Sequence, residues 1–187
     1  MSSHHIVREK QEPALYIHHL GSFDDEYLGQ LLEWSPTVVV AASEYEKALS
    51  LGIKIDVVIG LADGLQIQEN TKFIYAGIEN LPTAVKYLIS EKYPAVNIIS
   101  SENRFDDVAD FLPEINIVLF TEKEKSYAVK PGFSVWKPKG TVFHIDIISY
   151  FETSNLRPCD NGDLMVIEDG FVTFTFSTEY LFLSELL

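Results

Sequence analysis

One cysteine, Cys159, is present among 187 residues. A single thiol excludes an internal disulfide framework and suits a reducing compartment; beside Pro158 and Asp160 it reads as inert rather than nucleophilic. Positive charge is equally scarce, with 14 bases against 28 acids and a formal net charge of -14. Such a chain repels nucleic acid and anionic lipid unless it carries a local basic patch, and the densest lysine run, "TEKEK", has acids in between. No apolar run approaches the ~18 residues of a membrane span, and "MSSHHIVREKQEP" lacks the apolar stretch of a signal peptide. The expectation is a soluble, cytoplasmic protein with neither nucleic acid nor membrane as partner. Two nucleotide-binding signatures are missing as well. There is no Gly-Lys-Ser/Thr of a P-loop and no Gly-x-Gly-x-x-Gly turn.

What the chain does have is core material. It is 47% hydrophobic, with 12 Phe, 9 Tyr and 2 Trp, enough to exclude wholesale disorder. Its length fits one domain or two small ones at ~100–200 residues each. The first part alternates strand-like and helix-like segments. "ALYIHHL" (14–20) predicts a strand, "DDEYLGQLLEW" a helix capped by Asp24, and "TVVVAA" (37–42) a strand covered on both faces. "SEYEKALSLG" predicts a short helix with Ser43 as cap and Gly52 at its end. "DVVIG" and "KFIYAG" predict two further strands, followed by a helix in "NLPTAVKYLISEKY" with Leu81, Val85, Leu88 and Ile89 on one face. "AVNIIS" is a fifth strand, "RFDDVADFL" a helix and "INIVLF" a sixth strand. This order implies an α/β domain with a mainly parallel sheet.

After about residue 122 helical periodicity stops. Turn signals at Pro131-Gly132 and Pro138-Lys139-Gly140 separate strand-like pieces. "DLMVIEDGFVTFTF" reads as a hairpin about Asp169-Gly170, with Thr173 and Thr175 on one face and Phe174 and Phe176 on the other. The last eight residues are ambiguous. The second region is an antiparallel β unit of roughly 60 residues, too small to bury a large core alone.

In a parallel sheet, ligands gather outside the carboxyl ends of the strands. Residues just past the predicted strands are Ser43 and Glu44, Gly60 and Asp63, Gly77 and Glu79, then Ser100, Ser101, Glu102 and Arg104. Converging carboxylates could hold Mg²⁺ and through it a polyphosphate, and Arg104 could pair with a phosphate. Capping and the helix dipole also favour acids at helix starts, so each position has a purely structural reading. His18 and His19 fall on opposite faces of a predicted strand and cannot share a metal, and His144 reads as a structural histidine.

The order of these motifs resembles thiamine pyrophosphokinase, which transfers pyrophosphate from ATP to thiamine with Mg²⁺ as a homodimer. "LGIKIDVVIG" is similar to that family's strand leading into Gly-Asp-Phe-Asp-Ser, "IVLFTEKEKSYAVKPGFSVW" to its run into the β domain, and "NRFDD" to its Gly-Arg-Leu/Phe-Asp-His motif. The resemblance implies a Rossmann-like α/β/α nucleotide-binding domain over 1–122. It also implies a shortened, β-sandwich-like thiamine-binding domain over 123–187. Mg²⁺ and ATP are the implied cofactors if the chain is active, none otherwise. A second copy of the chain is the implied partner, with thiamine or a thiamine-like molecule as ligand.

Residue by residue the match is incomplete. Gly60 and Asp63 match, but Leu61 and Gly64 replace an aspartate and a serine. Ser43 and Glu44 stand where aspartate and glycine are expected. Ala76, Gly77, Glu79 and Asn80 replace a Lys-Asp-x-Thr-Asp run. Arg104 and Asp106 match, while Ser101, Glu102 and Asn103 replace glycines and Asp107 a histidine. By resemblance, Asp63, Arg104 and Asp106 would be catalytic, with Asp63 on the metal. Gly60, Glu44, Glu79 and Ser101 would bind cofactor, and Ser154 and Asn155 thiamine. Lost carboxylates cannot neutralise a cation, and bulk in place of glycine blocks close approach to phosphate. Two readings follow: a non-catalytic relative that binds a small ligand or serves as a dimeric scaffold, or an active, divergent enzyme in which Glu44 and Glu79 compensate.

Overall fold

The computed structural model describes residues 12–61, 64–77, 80–145 and 150–187. The chain divides into two compact units, the first ending at Glu122 and the second beginning at Lys123.

In the first unit, β1 (Ala14–Ile17), β2 (Val38–Ala41) and β3 (Val57–Gly60) are buried along their whole length. Their apolar runs, β-branched in β2 and β3, have neighbours on both faces, which is why no polar alternation was visible in sequence. β4 (Lys72–Tyr75) is more exposed, β5 (Ala95–Ile99) and β6 (Asn116–Phe120) less so. They pair in the order β6-β5-β1-β2-β3-β4, and every pairing is parallel. The chain runs outward from β1 to β4, then returns to β1's other side through β5. The order therefore reverses between β1 and β5, the place where such sheets open a crevice.

Helix α1 (Asp25–Leu32) links β1 to β2, and Asp24 caps it as expected, its carboxylate accepting from the Glu26 and Tyr27 N–H groups. Helix α3 (Asn80–Ser90) buries Leu81, Ala84, Val85 and Leu88, while Ile89 is only half-buried. Helix α2 (Tyr45–Ser50) ends at Gly52, whose φ of +74° suits glycine. Its expected cap is corrected. Ser43 lies inside a 3₁₀ turn, Ala42–Glu44, and no side chain caps α2.

A second correction concerns "RFDDVADFL". Two 3₁₀ turns, Phe105–Asp107 and Ala109–Phe111, replace the predicted helix. Val108 breaks the run at φ -128° and ψ -3°, and the N–H groups of Val108, Phe111 and Leu112 reach back three residues. Three aspartates in so short a segment disfavour α-helix, and burying Phe105, Val108 and Leu112 is enough to hold tighter turns. The histidine pair is corrected too. β1 stops at Ile17, so His18 and His19 lie past the strand rather than on its two faces.

The second unit contains β7 (Glu124–Val129), β8 (Ser134–Lys137), β9 (Val142–Ile145), β10 (Phe151–Thr153), β11 (Leu156–Pro158), β12 (Leu164–Val166), β13 (Gly170–Phe176) and β14 (Leu181–Leu186). Antiparallel pairing joins β11-β12-β9-β14-β7 in one sheet. A smaller sheet joins β10-β13-β8. The ambiguous C-terminal residues are thus a strand, β14. Between the sheets lie Phe143, Phe174, Val172 and Leu183, with the Phe143 and Phe174 rings edge to face at 5.7 Å. The alternation in β13 is as read, Phe174 and Phe176 inward and Thr173 and Thr175 outward. The expected hairpin is not formed: β12 pairs with β9 and β11, whereas β13 pairs with β8 and β10. Asp169-Gly170 carries the chain from one sheet to the other. Alternation sets which face is buried, not which strand is the neighbour.

Candidate functional site

The carboxyl ends of the parallel strands meet around Glu44. Its carboxylate is buried, with Oε1 3.0 Å from His19 Nδ1 and Oε2 accepting the Leu20 N–H at 3.2 Å. Glu44 therefore fastens the chain leaving β1 to the turn leaving β2. The His18 and His19 N–H groups both donate to the Ile99 carbonyl, at 2.9 and 3.1 Å, which closes β1 against the end of β5.

His18 stands at this mouth, its Nδ1 3.1 Å from the Tyr16 hydroxyl. Burial lowers its pKa, the neighbouring His19 adds to the effect, and Glu44 and Asp107 oppose it. His18 Nδ1 and the Tyr16 hydroxyl share one hydrogen bond, and burial of Tyr16 keeps its hydroxyl protonated. Both histidines occupy the position directly after a strand that the carboxyl-end rule singles out. Counting them into strand one hid them, and the drop in hydrophobicity at His18 was the available signal.

Gly60 ends β3 at φ +143°, and a Cβ there would sit 2.8 Å from the Ala42 Cβ. Glycine is required at this position by the neighbouring turn. The same added atom would lie 3.5 Å from Asn80 Oδ1 at the start of α3. That oxygen is buried and has no hydrogen-bond partner among the described residues. Asn80 thus offers a neutral acceptor in place of the carboxylate that the resemblance leads one to expect.

After β5, Ser101 and Asp106 are exposed. Arg104 is exposed and held by Asp107, with Nε 3.2 Å from Oδ2 and Nη2 3.3 Å from Oδ1. That carboxylate takes the Nε and Nη2 edge, so a phosphate would meet the guanidinium at Nη1. Asp63 and Glu79 lie outside the described residues. Among the described residues no group of three or more His, Cys, Asp or Glu could hold a metal ion. Glu44 is taken up by His19 and Leu20, so the described part of the mouth does not fit magnesium.

In the second unit Ser154 and Asn155 are both engaged in the fold. The Ser154 hydroxyl lies 2.7 Å from Thr173 Oγ1 and accepts the Thr173 N–H. Asn155, at φ +58°, clasps the Glu168 backbone with both ends of its amide. His144, exposed on β9, has its Nδ1 2.9 Å from Asp163 Oδ1.

No protein-family model matches the chain, and no curated protein matches it. Solved structures do. Thiamin pyrophosphokinase from Geobacillus thermodenitrificans superposes with a TM-score of 0.71 at 11% identity, over 93% of this chain and 97% of that one. The Bacillus subtilis enzyme gives 0.64 at 13% identity, over 94% and 99%. Yeast thiamin pyrophosphokinase gives 0.66 at 10% identity, over 97% and 88%. Identities this low speak to fold, and they speak to the same fold each time: the chain has the fold of the thiamin pyrophosphokinases.

Proposed function

We propose that this is a thiamine-pyrophosphokinase-related protein in which Mg²⁺-dependent pyrophosphoryl transfer from ATP to thiamine is lost or weak. The nucleotide-binding-like unit, 1–122, and the thiamine-binding-like unit, 123–187, are kept as a Rossmann-like and a sandwich-like scaffold. The observation that carries this reading is Glu44. The compensating-carboxylate alternative needs it on a metal, yet both its oxygens are engaged by His19 and Leu20. Releasing it would leave the Leu20 N–H unpaired, a cost of about 1–3 kcal/mol. Arg104, whose Nε and Nη2 edge is already taken by Asp107, points the same way.

The active alternative retains one favourable observation, the unpartnered Asn80 oxygen at the mouth. It requires ATP and Mg²⁺ held near Asp63, Glu79 and Asp106, whereas the non-catalytic reading requires no cofactor. The scaffold role has its own support. Trp136 and Phe171 are direct cross-strand partners and stand 54% and 65% exposed on β8 and β13, an aromatic face suited to a second copy of the chain. Sedimentation of the wild type and of Trp136→Ser tests that dimer. No described helix is long and apolar enough to cross a membrane, and a cytoplasmic location remains part of the proposal.

The deciding experiment is thermal unfolding with ATP and Mg²⁺, with and without thiamine, followed by a turnover assay for thiamine diphosphate. Binding to the native state raises the melting temperature by mass action, so weak sites register at high ligand concentration. The expected result is no Mg²⁺-dependent shift and no product. A Mg²⁺-dependent rise with turnover would establish the enzyme instead.

A further inference from the structure

The second unit contains a cavity of about 310 Å³ lined by Lys139, Gly140, Arg157, Met165, Val166 and Ile167. That volume is at the lower end of small-molecule sites, roughly 300–1,000 Å³. Arg157 and Met165 are paired across β11 and β12. The guanidinium's contact is with the Met165 sulfur, Nη2 to Sδ 3.6 Å, a weak acceptor. Lys139 sits in the turn before β9, where the Gly140 N–H donates to the Val166 carbonyl at 3.0 Å. The Asp169 carboxylate accepts the Lys139 backbone N–H at 2.7 Å and so stiffens that turn.

Elsewhere Lys54, Lys72, Lys125, Lys137 and Arg104 each face a carboxylate. Among the ion pairs of the described residues, neither Lys139 nor Arg157 has one. Lys47, Lys86, Lys92 and Lys130 stand outside those ion pairs too, so what marks Lys139 and Arg157 is the cavity they share. Its other wall is apolar: Met165 is half-buried and Ile167 is 47% exposed. A fork-shaped cation, a mobile ammonium and an apolar wall match an anionic head on a short apolar body.

We propose that this cavity binds a small organic anion, a phosphate or carboxylate head on an apolar body, with Arg157 and Lys139 on the head and Met165 and Ile167 against the body. The site is separate from the mouth of the parallel sheet and stands whether or not that mouth binds nucleotide. Its charge also sets it apart from any site for a cationic ligand.

The test is an NMR titration of ¹⁵N-labelled full-length protein with phenyl phosphate, benzoate and the charge-reversed benzylamine. Phenyl phosphate or benzoate should move the Gly140 and Ile167 amides and the Arg157 Nε resonance together and saturably. Whichever of the two binds more tightly identifies the head group. Benzylamine should leave these signals in place. Arg157→Gln should weaken anion binding by roughly tenfold, the effect of one charge-assisted contact. Lys139→Gln, in an exposed turn, serves as the second variant, and added salt should weaken binding to the wild type. Silence of these resonances at millimolar anion, equal binding of benzylamine, or unchanged affinity in both variants would overturn the proposal.

Discussion

At Gly60 the absence of a side chain is a packing requirement. A methyl group there would press on Ala42 Cβ at 2.8 Å in a backbone conformation, φ +143°, that side chains rarely adopt. Gly60→Ala should cost about 1–3 kcal/mol in chemical denaturation, the usual range for overpacking and backbone strain. Adding Ala42→Gly should recover part of the loss, because it removes the atom in the way. Full stability of the single variant would mean that the turn after β2 yields freely. His18 makes a different prediction, in pH. Its folded pKa lies below the ordinary 6.5 because burial disfavours the cation. The unfolded chain therefore binds the proton first as pH falls. The stabilisation is present above about 6.5, is lost as pH falls through and below that value, and levels off beneath the depressed folded pKa. The melting temperature of the wild type should fall more steeply across this window than that of His18→Gln. Parallel slopes would show that His18 is solvated.

At the scale of elements, the second unit is tied across its two sheets by Glu185. This carboxylate on β14 is buried, takes the Tyr127 hydroxyl of β7 and the Lys137 ammonium of β8, and has Lys125 at 3.9 Å. Burial, followed by the Glu185 bond and charge, keeps Tyr127 protonated. Beside it, the Ser126 and Ser184 hydroxyls are 2.7 Å apart and buried. Removing one partner of such a pair strands the other, so Glu185→Ala should cost about 3–5 kcal/mol by urea titration. Glu185→Gln, which keeps an acceptor for Tyr127, should cost less. A loss below about 1 kcal/mol for the alanine would place the pair among solvent-screened ones. None of this was legible beforehand: Glu185 lies in the stretch whose periodicity was ambiguous, and its partners are 48 and 58 residues away in sequence. The helices that sequence read well were α1, with its cap, and α3, with its long apolar stripe. The one it misread, "RFDDVADFL", had a stripe too short and too rich in aspartate to outweigh 3₁₀ turns.

At the scale of the whole molecule the governing quantity is charge. A net -14 on 187 residues works against the compact state by self-repulsion. Raising NaCl from ~10 to ~100 mM shortens the Debye length from about 30 to about 10 Å and should raise the melting temperature by a few degrees. A fall instead would mean that specific pairs, such as Lys54–Asp56 and Arg104–Asp107, outweigh the general repulsion.

Sequence alone determined the six strands and three of the four helices read up to Phe120, the caps at Asp24 and Gly52, and the inward face of β13. These follow from neighbours in the chain, through side-chain periodicity and backbone preference. Sequence also exposed the missing carboxylates and glycines of the resembled site, since a residue type is visible without coordinates. Tertiary structure decided everything that depends on partners far apart in sequence. It placed β5 beside β1, separated β12 from β13, and drew Arg157 and Lys139 into one cavity. It also turned Glu44 from a possible ligand into a clasp, because a carboxylate's role is set by the donors that reach it, and those came from His19 and Leu20, 25 and 24 residues earlier.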